Sequence, residues 1–205
     1  MTDDRKIYDI DPVLVDVPMP IVTPRLIIRP ATIADAHDVA IAKQEVWEQL
    51  QKWMSWANDG EETYEATLRV FEALAENDLS IMIARCRDIG KLVVSTGLAS
   101  EEEGVFHTGY WVAKDFLGRG YATEATAAVM HYAHQVLHAK KFTICYYEGN
   151  DKSRNVMEKL GFEFSHTVKE GKARCADGQL VDVHHYDLSD MRRIPPLDVY
   201  WGAEP

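Results

Sequence analysis

Residues 105–122 read Val-Phe-His-Thr-Gly-Tyr-Trp-Val-Ala-Lys-Asp-Phe-Leu-Gly-Arg-Gly-Tyr-Ala, and the way this stretch changes period decides the fold. Residues 105–112 are rich in β-branched and aromatic side chains and predict a strand. Over 120–137 the apolar residues Ala122, Ala125, Val129, Tyr132, Ala133, Val136 and Leu137 recur at spacings of three and four, which predicts a helix with one buried stripe. Between the two stand Gly118 and Gly120 around Arg119. Glycines where a strand hands over to a helix let the backbone approach an anion while consecutive free N–H groups point at it. The positive end of the helix adds to the attraction, and so does Arg119 if it turns inward. The predicted chemistry is phosphate binding. It is not that of a Walker loop, because no Gly-Lys-Ser/Thr follows, nor of a dinucleotide fingerprint, because the third glycine and flanking parallel-strand pattern are missing. On the residues alone, a plain turn at a helix start also accounts for the glycines.

Working outward, residues 79–86, 91–98 and 105–112 form three short β-rich runs separated by Asp88-Ile89-Gly90 and by residues 100–104, which predicts antiparallel hairpins. Upstream, residues 25–30 predict a strand closed by Pro30. Thr32 or Asp35 can cap a helix running to about Leu50, and a second helix over 61–76 follows the Asn58-Asp59-Gly60 turn. Downstream come a strand over 142–147 and a helix over 151–160 ended by Gly161. A last strand pair, 162–168 with 180–188, turns around Asp177-Gly178. The fold class is α+β. Pro12, Pro18 and Pro20 predict an extended arm over 1–22, the domain spans 23–190, and 191–205, with Pro195-Pro196, Tyr200 and Trp201, reads as a loosely attached tail able to serve as a dimer or lid element.

The 205 residues fit one domain. No run of about 18 apolar residues occurs, and Met-Thr-Asp-Asp-Arg-Lys-Ile-Tyr-Asp-Ile at the N-terminus lacks the apolar stretch of a signal peptide, so the expected location is the cytoplasm. Cys86, Cys145 and Cys175 are odd in number and widely spaced, which predicts reduced thiols rather than a zinc or redox pair. With 33 acidic against 22 basic side chains the formal net charge is −11. That sign argues against nucleic acid and membrane surfaces as partners, and suits a cationic partner such as an amine.

The segment 108–163 resembles the GNAT acetyltransferases, whose pattern Gln/Arg-x-x-Gly-x-Gly/Ala falls here on Leu117, Gly120 and Ala122. Gly109-Tyr-Trp-Val112, Gly118-Arg-Gly-Tyr-Ala-Thr-Glu-Ala125, Asn150-x-x-Ser153 and Glu158-Lys-Leu-Gly-Phe162, in that order, are similar to the branch containing ribosomal-protein N-terminal acetyltransferases. The likeness reaches upstream to Thr23-Pro-Arg-Leu26 and Trp53-x-x-Trp56 and downstream to about Leu188. It implies a mixed, mostly antiparallel sheet splayed between the strands ending at Val112 and Tyr147, with helices on both faces. The pantetheine arm of acetyl-CoA would lie in the gap, bonded by backbone groups of Trp111 and Val112. The pyrophosphate would sit on the amides of Gly118, Arg119, Gly120, Tyr121, Ala122 and Thr123. Leu117 departs from the usual Gln or Arg, and Met157 stands where many members carry a tyrosine acid.

Acetyl transfer from a thioester needs a neutral amine, a polarised carbonyl and a leaving thiolate. The resemblance puts Ser153 at the CoA sulfur and Asn150 on the pantetheine. Asn150, Asp151 and Ser153 are equally good N-caps for their helix. Relatives often carry a basic carboxylate on the strand 105–112, where this chain offers His107, which titrates near ~6.5. Glu170 is a further candidate. Trp53 and Trp56, three apart, share a face if helical and would border the acceptor, unless they pack in the core. His131, His134 and His138 share a helical face but lack a metal-binding arrangement, so no metal is expected. The expected function is acetyl transfer to an amine, an N-terminal α-amine first and a small amine such as an antibiotic or peptide toxin second, in a monomer or homodimer. A non-catalytic acyl-CoA-binding module is the reading from another class.

Overall fold

The computed structural model describes residues 18–57, 62–74, 78–174 and 176–202. The arm up to residue 17, the Asn58-Asp59-Gly60 turn and Cys175 lie outside them. Strands β1 (Ile21–Val22), β2 (Leu26–Pro30), β3 (Met82–Cys86), β4 (Leu92–Glu102), β5 (Val105–Val112), β6 (Lys141–Tyr147), β7 (Glu163–Ala173), β8 (Leu180–Leu188) and β9 (Tyr200–Trp201) form one sheet. Its order is β7-β8-β6-β5-β4-β3-β2-β1-β9. Every described pairing is antiparallel except β5 with β6. That exception is forced by connectivity, since α4 (Tyr121–Val136) carries the chain from the end of β5 back to the start of β6 as a crossover.

The sheet is covered on both faces where it is most apolar. β4 is buried at every position from Leu92 to Leu98 and touches both α4 and α1 (Ala36–Glu45), which packs in turn on α3 (Tyr64–Glu72). The long helix expected up to Leu50 is broken: α1 stops at Glu45, Val46 leaves the helical region at φ −125°, and α2 (Trp47–Trp53) restarts the chain. Thr63 caps α3 by accepting from the Ala66 amide. At the start of the α1 segment the Asp35 carboxylate accepts from the Thr32 amide and hydroxyl at 3.0 and 2.9 Å and is gripped by Arg29 and Arg85. The two guanidiniums outweigh burial and hold its carboxyl far below the usual range.

The arm and tail readings need correction. Ile21 and Val22 are fully buried in β1, and β1 is held between β2 and β9, so the sheet begins before residue 23. Trp201 meets Tyr132 edge to face at 5.6 Å, and the Pro195 carbonyl bonds His131 Nε2 at 2.9 Å. Two features of the sequence account for this docking. Helix α4 is wider in its apolar surface than one stripe, with Thr126, Ala127, Ala128 and Met130 buried besides the predicted residues, and that surface needs a cover. Ile194, 4% exposed, contributes about 2 kcal/mol by burial alone, and Pro195-Pro196 arrive with φ already fixed, which lowers the ordering cost. His131 thus belongs to the tail contact. His134 bonds the Ala139 carbonyl, and no metal-binding group of three occurs among the described residues.

Candidate active site

The parallel pairing of β5 and β6 covers three rungs, Val105 with Lys141, Phe106 with Phe142 and His107 with Thr143, and goes no further. Both strands continue: β5 stays on β4 as far as Val112, and β6 stays on β8 as far as Tyr147. From Thr108 and Ile144 onward the sheet therefore opens into two leaves. The free edge of β5 from Thr108 to Val112, which includes Trp111 and Val112, is about 13 Å long at ~3.3 Å per residue. Because the strands are parallel, both loops that follow them meet at the open end, where α/β folds place their ligands.

The first of those loops is the glycine segment. Gly118 and Gly120 have φ of +73° and +79°, a region that side chains enter only with strain. A Cβ at Gly118 would meet nothing within 4 Å, and one at Gly120 only the Arg25 guanidinium at 3.7 Å, so these glycines serve backbone geometry and an open approach rather than packing. Gly120 is the N-cap of α4 and brings no side-chain cap. Among the described residues the amides from Gly118 to Thr123 find no acceptor, and they gather at a helix end that attracts negative charge. Leu117 is half-exposed beside them, Ala122 is buried, and Tyr121 packs on Phe116. The residues present fit a polyanion.

Sequence reasoning noted Thr23-Pro-Arg-Leu26 only as part of a resemblance and missed what it does. The Arg25 guanidinium bonds Glu124 at 2.5 Å and the Arg119 carbonyl at 3.1 Å, and lies 4.1 Å over the Tyr121 ring. Thr23 donates to the same carboxylate at 2.6 Å. The loop is thus clamped from the turn between β1 and β2, about a hundred residues earlier in the chain. The periodicity of α4 carried no signal for Glu124, an ordinary charge in a first helical turn.

The second loop leads into α5 (Asp151–Lys159). Asn150 is its cap: the Asn150 side chain accepts from the Ser153 amide at 3.3 Å. The Ser153 hydroxyl is left for another partner and meets the hydroxyl of Tyr110 at 3.0 Å. Tyr110 reaches it from β5, across the opening between the leaves. Burial pushes its phenol up to about 12, so it remains protonated. Met157 is buried in the core. Tyr110 was not singled out from sequence, since it reads as one aromatic among several on a strand.

His107 sits on the last rung before the sheet opens. Its Nδ1 lies 3.0 Å from the Thr143 hydroxyl and 3.7 Å from a Glu101 carboxylate oxygen. Burial lowers its pKa below the ordinary histidine value, Glu101 raises it, and His185 lowers it further. Cys145, on the neighbouring position of the same face, is held protonated with its thiol pushed up to about 11 by burial. The two tryptophans are not brought together. Helix α2 ends at Trp53 with Met54 extended, so no helical face is shared. Trp53 packs on Tyr147, Val181 and Val183 at the end of β6, while Trp56 turns to Trp47 and the main core. Glu170 lies exposed on the edge strand β7, separated from β6 by β8.

Residues 25–163 match the Acetyltransferase (GNAT) domain. Over 80 residues the chain is 44% identical to YdaF of Bacillus subtilis (strain 168), provisionally named as a ribosomal N-acetyltransferase; the match covers 39% of this chain and 40% of that protein. It therefore spans less than half the length of that relative. The ribosomal-protein-S5-alanine acetyltransferase from Vibrio fischeri has the same fold, with a TM-score of 0.73 at 17% identity over 88% of this chain and 100% of its own. So does RimL, a ribosomal L7/L12 alpha-N-protein acetyltransferase solved in complex with coenzyme A, with a TM-score of 0.73 at 19% identity over 83% and 97%.

Proposed function

We propose, from the premise that this chain belongs to the acetyltransferase (GNAT) family, that it transfers the acetyl group of acetyl-CoA to a primary amine. The acceptor in this reading is a protein N-terminal α-amine, attacking directly within a ternary complex. The observation that carries it is the opening of the sheet past His107 and Thr143, with a row of amides at its mouth that find no acceptor among the described residues.

Acetyl-CoA supplies an activated thioester when bound. The amides of residues 118–123 and the start of α4 hold its pyrophosphate, with Arg119 adding positive charge and Arg25, paired with Glu124, holding the loop in place. Trp111 and Val112 offer backbone groups to the pantetheine along the free edge of β5, and Asn150 borders it from the other leaf. His107 accepts a proton from the attacking amine as the nitrogen bonds to the acetyl carbon and the carbon–sulfur bond breaks. Ser153, backed by Tyr110, gives the departing thiolate a hydrogen bond that strengthens as charge develops.

The α-amine is favoured over a lysine by the weakness of this base. An α-amine has a reference pKa near ~8 and a lysine near ~10.4, so a histidine with a lowered pKa suits the former. Trp53 with Tyr147, Val181 and Val183 gives the mouth an apolar wall for the first side chain of an acceptor, and the similarity to YdaF supports a ribosomal protein as its source. A cytoplasmic site of action goes with that acceptor, and no described helix is long and apolar enough to cross a membrane.

The test is turnover. The full chain is incubated with acetyl-CoA and peptides beginning in Ala or Ser, the same peptides blocked at the N-terminus but carrying lysine, and small amines. Release of free thiol with the acetyl group located by mass spectrometry on the α-nitrogen is the expected result. Acetylated lysine or small amine with a silent α-amine overturns the acceptor. Tight CoA binding without thiol release overturns catalysis and leaves a binding module.

A further inference from the structure

We propose that Glu101 and Thr143 are positioning residues that hold His107 in one tautomer, with Nδ1 protonated and the Nε2 lone pair free to take the amine proton. The proposal rests on the reading of His107 as the base. Three strands contribute, and each places its residue for a local reason. Thr143 of β6 faces His107 of β5 on the last parallel rung before the leaves part. Glu101 is the extra residue of a bulge in β4: Ser100 pairs with Phe106 and Glu102 with Val105, so two steps on β4 oppose one on β5. A bulge of this kind turns a side chain out of its regular register, and here the carboxylate lands on the Thr143 hydroxyl at 2.9 Å.

The direction of each hydrogen bond then follows from proton counting. An ionised carboxylate only accepts, so the Thr143 hydroxyl donates to Glu101. A hydroxyl has one proton, and with that proton committed the Thr143 oxygen can only accept from His107 Nδ1 at 3.0 Å. Nδ1 must carry the hydrogen. A neutral imidazole has one N–H, so Nε2 is left as the acceptor. When Nε2 takes the amine proton, the imidazolium keeps its Nδ1–H bond to Thr143 and gains the charge of Glu101 at 3.7 Å. No proton passes to the carboxylate. The other groups on this face do not replace the relay: Lys141 is paired with Asp187 at 2.8 Å, Cys145 is a protonated thiol, and His185 stacks on His166 at 4.5 Å.

The experiment reads the tautomer and the rate separately, on the full chain. Nitrogen-15 NMR of labelled histidine is expected to report His107 with Nδ1 protonated, and Thr143→Val, which keeps the shape but not the acceptor, is expected to mix the two tautomers. The same variant should lower kcat about tenfold with KM for both substrates changed by less than about twofold. The acid limb of its kcat/KM profile should move to lower pH, because the imidazolium loses a partner. Thr143→Ser should restore tautomer and rate together. A Thr143→Val protein with the wild-type tautomer and acid limb overturns the relay. His107→Ala separates the two readings: if it is inactive while Thr143→Val is normal, the relay alone fails, and if it turns over normally, the base assignment fails and the relay with it.

Discussion

The two ends of the opened sheet are built on different principles. At the mouth, the proposed function rests on backbone: two glycines in the left-handed region, a helix start and a row of amides without acceptors among the described residues. At the apex it rests on side chains, with Glu101, His107 and Thr143 brought from three strands by register and a bulge. A backbone site is written in contiguous residues and can be read from ten of them. A side-chain site exists only after long-range pairing, and none of its members announces the others. The mouth is expected to govern affinity for the donor, and the apex to govern turnover.

The largest test of that division is Gly120→Val. A β-branched residue at φ +79° strains the turn by about 1–3 kcal/mol, and its methyls enter the space an anion needs. Acetyl-CoA affinity should fall on the order of 100-fold, since each 1.4 kcal/mol is tenfold, with a cooperative melt retained. The Arg25 guanidinium at 3.7 Å is the far end of a flexible chain, so packing alone does not oppose the change. Calorimetry giving wild-type affinity in the folded variant would break the phosphate assignment of the loop.

Next in size is Ser153→Ala, which asks whether a side chain on the mouth side also governs turnover. The cap of α5 is Asn150, whose side chain accepts the Ser153 amide, and Ser153→Ala leaves that backbone N–H in place. Stability should therefore fall only by the lost hydrogen bond to Tyr110, about 1 kcal/mol. If its hydroxyl serves the thiolate, kcat drops at least about tenfold while acetyl-CoA affinity is nearly kept. A normal kcat moves the stabilisation of the thiolate to Tyr110, whose hydroxyl is 3.0 Å away, or to water.

The same contrast explains how much could be read from the sequence. The α+β order, the hairpins, α4 and the glycine loop follow from local period and turn chemistry, and the splay followed from resemblance. The clamp of Arg25 on Glu124, the meeting of Tyr110 with Ser153 and the contacts of His107 with Thr143 and of Thr143 with Glu101 depend on residues far apart in the chain, of types that are common on any surface or strand. Trp53 and Trp56 fail for a related reason: helical spacing predicts a shared face only where the helix continues, and α2 ends at Trp53. The tail reads as loose because chain ends are so often loosely attached, but its prolines lower the cost of docking it on α4.

Asn150→Ala is the smallest effect and joins a structural role to a proposed binding one, because Asn150 at the mouth caps α5 and is also the proposed donor contact. Loss of an Asn cap costs about 1 kcal/mol, which in a domain of this size lowers Tm by roughly 2–4 °C. That loss arises without ligand, since the bond to the Ser153 amide is made by the free protein. A contact to pantetheine acts only when the donor is bound. Melts with and without saturating CoA separate the two. If Asn150 only caps α5, the variant melts lower by the same amount in both conditions and the CoA-induced rise in Tm is unchanged. If it also holds the pantetheine, the rise itself shrinks, and at equal CoA a fivefold weaker Kd removes about 1 kcal/mol of the ligand's stabilisation. A smaller CoA-induced rise with a wild-type melt in the free protein would reverse the order of the two roles and make Asn150 a donor contact first.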